Sequence, residues 1–135
     1  MKKYKLTLFA SVIVSIILEA LPYGAVCNFA TPEKTIRQNF SYFSLTPYGY
    51  ANFGPFITAC LTCILLLLSV LLFTKFSDRI IKTATIISGI SVLASFMPLI
   101  FGINNYSLLG GIISAMMIIQ FIIITIIKRS KINET

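Results

Sequence analysis

Four stretches of the chain, residues 6–21, 55–73, 83–101 and 107–127, are built from Leu, Ile, Val, Phe, Ala and small polar residues, and the only charge in them is Glu19. Each comes close to the roughly 20 residues that carry a helix across about 30 Å of hydrocarbon. The pattern therefore predicts four spans. The first is the weakest, being the shortest and holding a carboxylate. Its ten large apolar residues favour insertion by roughly 0.5 kcal/mol each, against about 3 kcal/mol for a carboxylate at the bilayer centre and less near a helix end. Insertion is favoured.

The connections set the architecture. Residues 102–106 join the third run to the fourth and residues 74–82 join the second to the third, lengths that force antiparallel neighbours. The expected fold is an all-α membrane protein, an up-down-up-down four-helix transmembrane bundle. Residues 1–135 then form a single domain, with a long outer loop at residues 22–54.

Composition agrees: 57% of the residues are hydrophobic, 11% are charged, and the mean hydropathy is +0.92. A soluble domain of this size could not hide that much apolar surface. The net charge of +7 is read by position. Lys2, Lys3 and Lys5 precede the first run, Lys75, Arg79 and Lys82 lie between the second and third, and Lys128, Arg129 and Lys131 follow the fourth. These nine fall on one side, against Lys34 and Arg37 on the other. By the positive-inside rule both termini are expected to be cytoplasmic, and the expected membrane is the plasma membrane. The expected partners are the lipid bilayer and a second copy or another membrane protein, with no nucleic acid. The start of the chain also has the charged and apolar regions of a secretory signal, but no small-x-small pair follows, so it reads as an anchor and not a cleaved leader.

The outer loop gathers nine of the seventeen aromatic residues between Pro22 and Phe56, as in an interfacial belt. Thr31, Pro32 and Glu33 read as a helix start, with Ile36, Phe40 and Phe43 on one face. The expectation is a short amphipathic helix over residues 32–43. Thr46-Pro47-Tyr48-Gly49 reads as a type I turn, and Gly54-Pro55 opens the second span.

The segments Leu21-Pro-Tyr-Gly-Ala-Val-Cys-Asn-Phe29 and Ser41-Tyr-Phe-Ser-Leu-Thr-Pro-Tyr-Gly-Tyr-Ala-Asn-Phe-Gly-Pro-Phe56 resemble a group of small uncharacterised four-span membrane proteins of Gram-positive bacteria. The resemblance implies a membrane location and a bacterial origin. It brings no activity, ligand or catalytic residue.

Candidate chemistry is sparse. The chain has no histidine, and Glu19, Glu33, Asp78 and Glu134 are scattered. No catalytic, cofactor-binding or metal-binding residues are therefore expected, and the protein reads as a non-enzymatic accessory or oligomer-forming subunit. Small residues mark the faces that pack. Ala84, Ser88, Ser91, Ser95, Pro98 and Gly102 form a seam along the third run, and Thr7, Ser11, Ser15 and Glu19 form a winding polar ribbon along the first. Gln120 should point inward as an interhelical hydrogen-bonding group. Glu19, the only ionisable residue within a run, is expected near the outer interface, bonded to Ser or Thr hydroxyls or to Tyr23. It also resembles the proton-coupled carboxylate of small multidrug resistance exporters, which makes a proton-coupled small-molecule exporter the second reading. Cys60 and Cys63 resemble the C-x-x-C pair of quinone-linked disulfide oxidases, the third reading. They lie in an apolar helix with no basic neighbour, and Cys27 has no second cysteine beside it.

Overall fold

The computed structural model describes residues 2–49, 52–74 and 78–133. In chain order these form α1 (Lys2–Ala20), β1 (Ala25–Ala30), β2 (Thr35–Phe40), α2 (Leu45–Gly49), α3 (Gly54–Thr74), α4 (Asp78–Ile100) and α5 (Leu108–Asn133). Three helices, α3, α4 and α5, are long and apolar enough to cross a membrane. The fourth long helix, α1, has 19 residues and carries Lys2, Lys3, Lys5 and Glu19. Both α4 and α5 continue beyond their apolar runs into charged residues, where water can solvate the side chains without interrupting the backbone ladder.

The long helices pack with α1 against α3 and α5, and α4 against the same two. Near the charged ends, the Lys5 ammonium donates to the Leu72 carbonyl at 2.8 Å, and Phe9 meets Phe73 edge-on with ring centroids 6.2 Å apart. The start of α1 therefore lies beside the end of α3. One buried cluster joins Leu8, Val12, Leu65, Leu72, Ile124 and Ile127. Outward-facing positions are as apolar as inward ones. Leu67 is 66% exposed and Leu93 75%, a surface suited to lipid and unsuited to water.

Small side chains account for the closeness of α4 to its neighbours. Ala84, Ser88, Ser91, Ser95 and Pro98 are all buried. The serine hydroxyls donate back within their own helix, Ser88 to Thr85 at 3.0 Å, Ser91 to Ile87 at 2.9 Å and Ser95 to Val92 at 2.7 Å. To the facing helix they present little more than a small side chain. Ser114 of α5 donates across to the Ser95 carbonyl at 3.2 Å. Ser91→Leu and Ser95→Leu are expected to lower protein accumulation and thermal stability. Ile86→Leu and Leu93→Ile, at positions 61% and 75% exposed, should leave both unchanged. Equal tolerance of all four in a detergent melting series would contradict this packing.

The link after α4 turns at Gly102, whose φ of 113° is a left-handed conformation that a side chain would strain. A single 3-10 turn, Ile103–Asn105, follows.

The outer segment departs from the sequence expectation. Residues 32–43 do not form an amphipathic helix. Thr35–Phe40 is instead a strand paired antiparallel with Ala25–Ala30, in the register Ala25 opposite Phe40 and Ala30 opposite Thr35. The Thr31-Pro32-Glu33 signal is shared by helix starts and tight turns, and here it closes the hairpin. The Thr31 N–H donates to the Lys34 carbonyl at 3.0 Å, the Thr31 hydroxyl reaches the same carbonyl, and the Lys34 N–H donates back to that hydroxyl at 3.2 Å. A helix over 32–43 would have left most of the backbone of residues 25–30 without partners, whereas the hairpin pairs the two segments along their length.

A lone hairpin is marginal, and this one is anchored. Tyr106 bridges Ala25 on the far edge of β1. The Ser107 hydroxyl donates to the Gly24 carbonyl at 2.6 Å, the Asn52 amide to the Val26 carbonyl at 2.9 Å, and Asn28 to Asn105 at 2.6 Å. The expected turn at Thr46–Gly49 is likewise corrected to the short helix α2. The Ser44 hydroxyl accepts the Thr46 N–H at 3.3 Å at its start, and Pro47 in the first turn costs no helical hydrogen bond.

Candidate functional site

Glu19, Ser15, Thr62, Met117 and Gln120 meet in a polar layer between α1, α3 and α5. Along α1, Leu8, Val12, Ser15 and Glu19 are the buried residues, while Thr7 is exposed. A spacing of four residues advances slightly more than one helical turn, so the polar ribbon winds from the surface at Thr7 into the interior at Ser15 and Glu19. On α3 the buried face is Thr58, Ala59, Thr62, Leu65 and Ser69. Here Thr58 and Thr62, one turn apart, come opposite Glu19.

The Glu19 side chain is 0% exposed. Its Oε1 accepts the Thr62 hydroxyl at 2.8 Å, and no partner meets Oε2 among the described residues. The Thr62 hydroxyl also lies 2.8 Å from the Thr58 carbonyl and 3.9 Å from the Met117 sulfur, so one proton is shared among acceptors. No lysine or arginine pairs with Glu19 among the described residues. Glu19 thus has a threonine hydroxyl as its partner, as expected, but it is closed off from solvent within the helices. Tyr23, the aromatic partner considered for it, is 62% exposed. Coverage from above is the reason. The Tyr42 N–H donates to the Glu19 backbone carbonyl at 2.9 Å, and the Tyr42 ring, 1% exposed, packs with Ala25, Ala59, Ile113 and Met117.

Gln120 lies one turn along α5 from Met117 and is also 0% exposed. Its amide nitrogen donates to the Ser15 hydroxyl at 2.7 Å and to the Ser11 carbonyl at 3.2 Å. Because a carbonyl only accepts, the Ser11 contact fixes which end of the amide is nitrogen. The other end, Oε1, has no partner among the described residues. The layer therefore holds two buried acceptors, one on Glu19 and one on Gln120, that lack hydrogen-bond donors. An unmet buried acceptor costs about 1–3 kcal/mol, so these two oxygens weigh against the stability of the layer.

The other candidates lie elsewhere. Ser88, Ser91 and Ser95 are buried on α4 and bond within that helix. Cys60 and Cys63 are free and exposed, on the face of α3 that points away from Thr58 and Thr62. Cys27 is buried in β1, where burial pushes its thiol above the ordinary range. A less acidic thiol is a poorer nucleophile precursor at neutral pH. Sequence reasoning placed Tyr42 in an interfacial belt. It is instead the plug of the layer, fitted against Gly24 and Gly110, where a Cβ would come within 2.8 Å and 3.2 Å of it. Burial pushes its phenol upward. The one local signal for this fit is the two glycines, and they are 86 residues apart in sequence.

No protein-family model, curated protein or solved structure matches this chain.

Proposed function

We propose that this chain is a non-enzymatic plasma-membrane protein of a Gram-positive bacterium, an accessory or self-assembling subunit. All four long helices cross the bilayer as an up-down-up-down bundle with both termini cytoplasmic. The asymmetry of basic residues supports the orientation, and the resemblance of residues 41–56 to small four-span proteins supports the source. The observation that carries the subunit reading is the contrast between the two sides of the hairpin. Ala25, Val26 and Cys27 of β1 are buried against the helices, whereas Thr35, Ile36, Arg37, Gln38 and Asn39 of β2 are all exposed. The helical frame holds a strand edge out from the membrane, the usual template for adding a second chain. The chain should migrate in native membranes as an assembly larger than its 15.0 kDa protomer. Arg37→Pro in β2 should reduce it to the protomer while leaving membrane insertion intact. A protomer-sized wild-type species, or an assembly indifferent to Arg37→Pro, would contradict the reading.

A second reading, a proton-coupled small-molecule exporter, draws support from the unpartnered Oε2 of Glu19. A carboxyl group kept at a cost to stability is the kind of group that transport uses. Glu19→Gln separates the two. A subunit should retain assembly and phenotype, whereas an exporter should lose tolerance to its substrate with expression unchanged.

A further inference from the structure

At the charged end of the molecule, α4 and α5 part to leave a cleft of about 220 Å³ lined by Asp78, Ile81, Lys82, Lys128, Lys131 and Ile132. Three lysines face one carboxylate there. Asp78 is committed to Lys131, with oxygen and nitrogen 2.9 Å apart, which holds the two helix ends together and neutralises the acid. Lys82 and Lys128 remain as excess positive charge, and no carboxylate pairs with either among the described residues. Lys128 is half-buried, as for a lysine whose stem lies along apolar surface while its ammonium stays in water.

Depth identifies the occupant. Lys82 immediately precedes the apolar run 83–101, and Lys128 immediately follows the run 107–127. Both ammonium groups therefore sit where hydrocarbon gives way to headgroups. The cleft floor is Ile81, 2% exposed, and Ile132, 65% exposed, lies on its aqueous side beyond Lys128. A phospholipid presents both a phosphate and the start of an acyl chain, and clefts of basic residues between helix ends suit that combination.

We propose that this cleft binds the phosphate headgroup of an anionic phospholipid, with Lys82 and Lys128 as its cationic contacts and the Asp78–Lys131 pair as its wall on the aqueous side, the acyl chains running on along the apolar exteriors of α4 and α5. The proposal rests on the membrane reading alone and is independent of what the outer hairpin binds.

The full chain is placed in nanodiscs of mixed phosphatidylcholine and phosphatidylglycerol, and the lipid that stays bound on release is measured by native mass spectrometry. Phosphatidylglycerol should be enriched over its share of the disc. Lys82→Gln and Lys128→Gln should each lower that enrichment about fivefold, and Lys128→Arg should restore it. Lys2→Gln and Lys3→Gln, basic residues outside the cleft, should have no effect. An equal loss in all four glutamine variants would show diffuse surface attraction and overturn the site. Millimolar inorganic phosphate in the buffer distinguishes the source of the phosphate. Undiminished lipid retention supports the headgroup, and complete displacement would mean that the cleft takes free phosphate and that the lipid assignment is wrong. A chain that does not enter the discs would overturn the membrane reading itself, an outcome distinct from entry without enrichment.

Discussion

Gly54→Leu is expected to leave almost no folded protein in the membrane, and Gly54→Ala to lower the thermal midpoint clearly. A Cβ at position 54 would lie 2.7 Å from the Ala94 carbonyl oxygen, 2.8 Å from the Met97 Cβ and 2.9 Å from the Pro98 Cδ. None of these is the free end of a flexible side chain, so the helices themselves would have to separate. Pro98 explains why the approach is so close. Lacking an N–H, it leaves the Ala94 carbonyl without its helical donor, and the bare backbone of Gly54 closes on that carbonyl. Overpacking of this kind costs about 1–3 kcal/mol for a single methyl and more for a larger group. Gly89→Ala is the control. Its Cβ would meet only Phe121, at 3.6 Å, and helix propensity favours alanine by about 1 kcal/mol. Accumulation in membranes and a detergent melting curve give the result, and equal behaviour of the two alanine variants would contradict the packing.

The second large effect concerns the polar layer and runs against intuition. Thr62→Val keeps the shape of the side chain but removes the one donor to the Glu19 side chain among the described residues, stranding both carboxylate oxygens in the interior. The expected loss is about 1–3 kcal/mol, and more if the carboxylate is charged. Glu19→Leu should be neutral or stabilising, because it removes an acceptor that is already unmet and leaves Thr62 bonded to the Thr58 carbonyl at 2.8 Å. The double variant should resemble Glu19→Leu and not the sum of the two single changes, since the Thr62 hydroxyl then has no carboxylate to serve. Unfolding measured on all three variants decides it. A Glu19→Leu protein much less stable than the parent would contradict the reading of Oε2 as an unmet acceptor.

Much of this was legible in the sequence, where the signal is local. The charge-free runs contain the apolar cores of α3, α4 and α5. The 4, 3, 4, 3, 4 spacing of small residues from Ala84 to Gly102 follows directly from helical geometry, and Ala84, Ser88, Ser91, Ser95 and Pro98 lie on the buried face. Gln120 faces inward because an amide against lipid would be expensive. The hairpin was not legible. Thr31, Pro32 and Glu33 suit a helix start and a tight turn equally, and Ile36 and Phe40 satisfy a helical face as well as a strand. The deciding contacts are distant in sequence: Tyr106 beside Ala25, Ser107 to Gly24, Asn52 to Val26. The hairpin also encloses Glu19. With a surface helix at 32–43, the end of α1 would face water, but a hairpin brings Tyr42 over it. Neither the donor from Thr62 nor the Ser15 partner of Gln120 could be assigned before the helices were placed side by side.

The four-span bundle requires α1 to cross the membrane, and single cysteines on either side of it test that directly. In a background with Cys27, Cys60 and Cys63 replaced, an impermeant maleimide should label Gln38→Cys in intact cells. It should label Lys3→Cys and Arg129→Cys only after permeabilisation. Labelling of Lys3→Cys together with Gln38→Cys in intact cells would place both ends of α1 on one side of the membrane and contradict the four-span architecture.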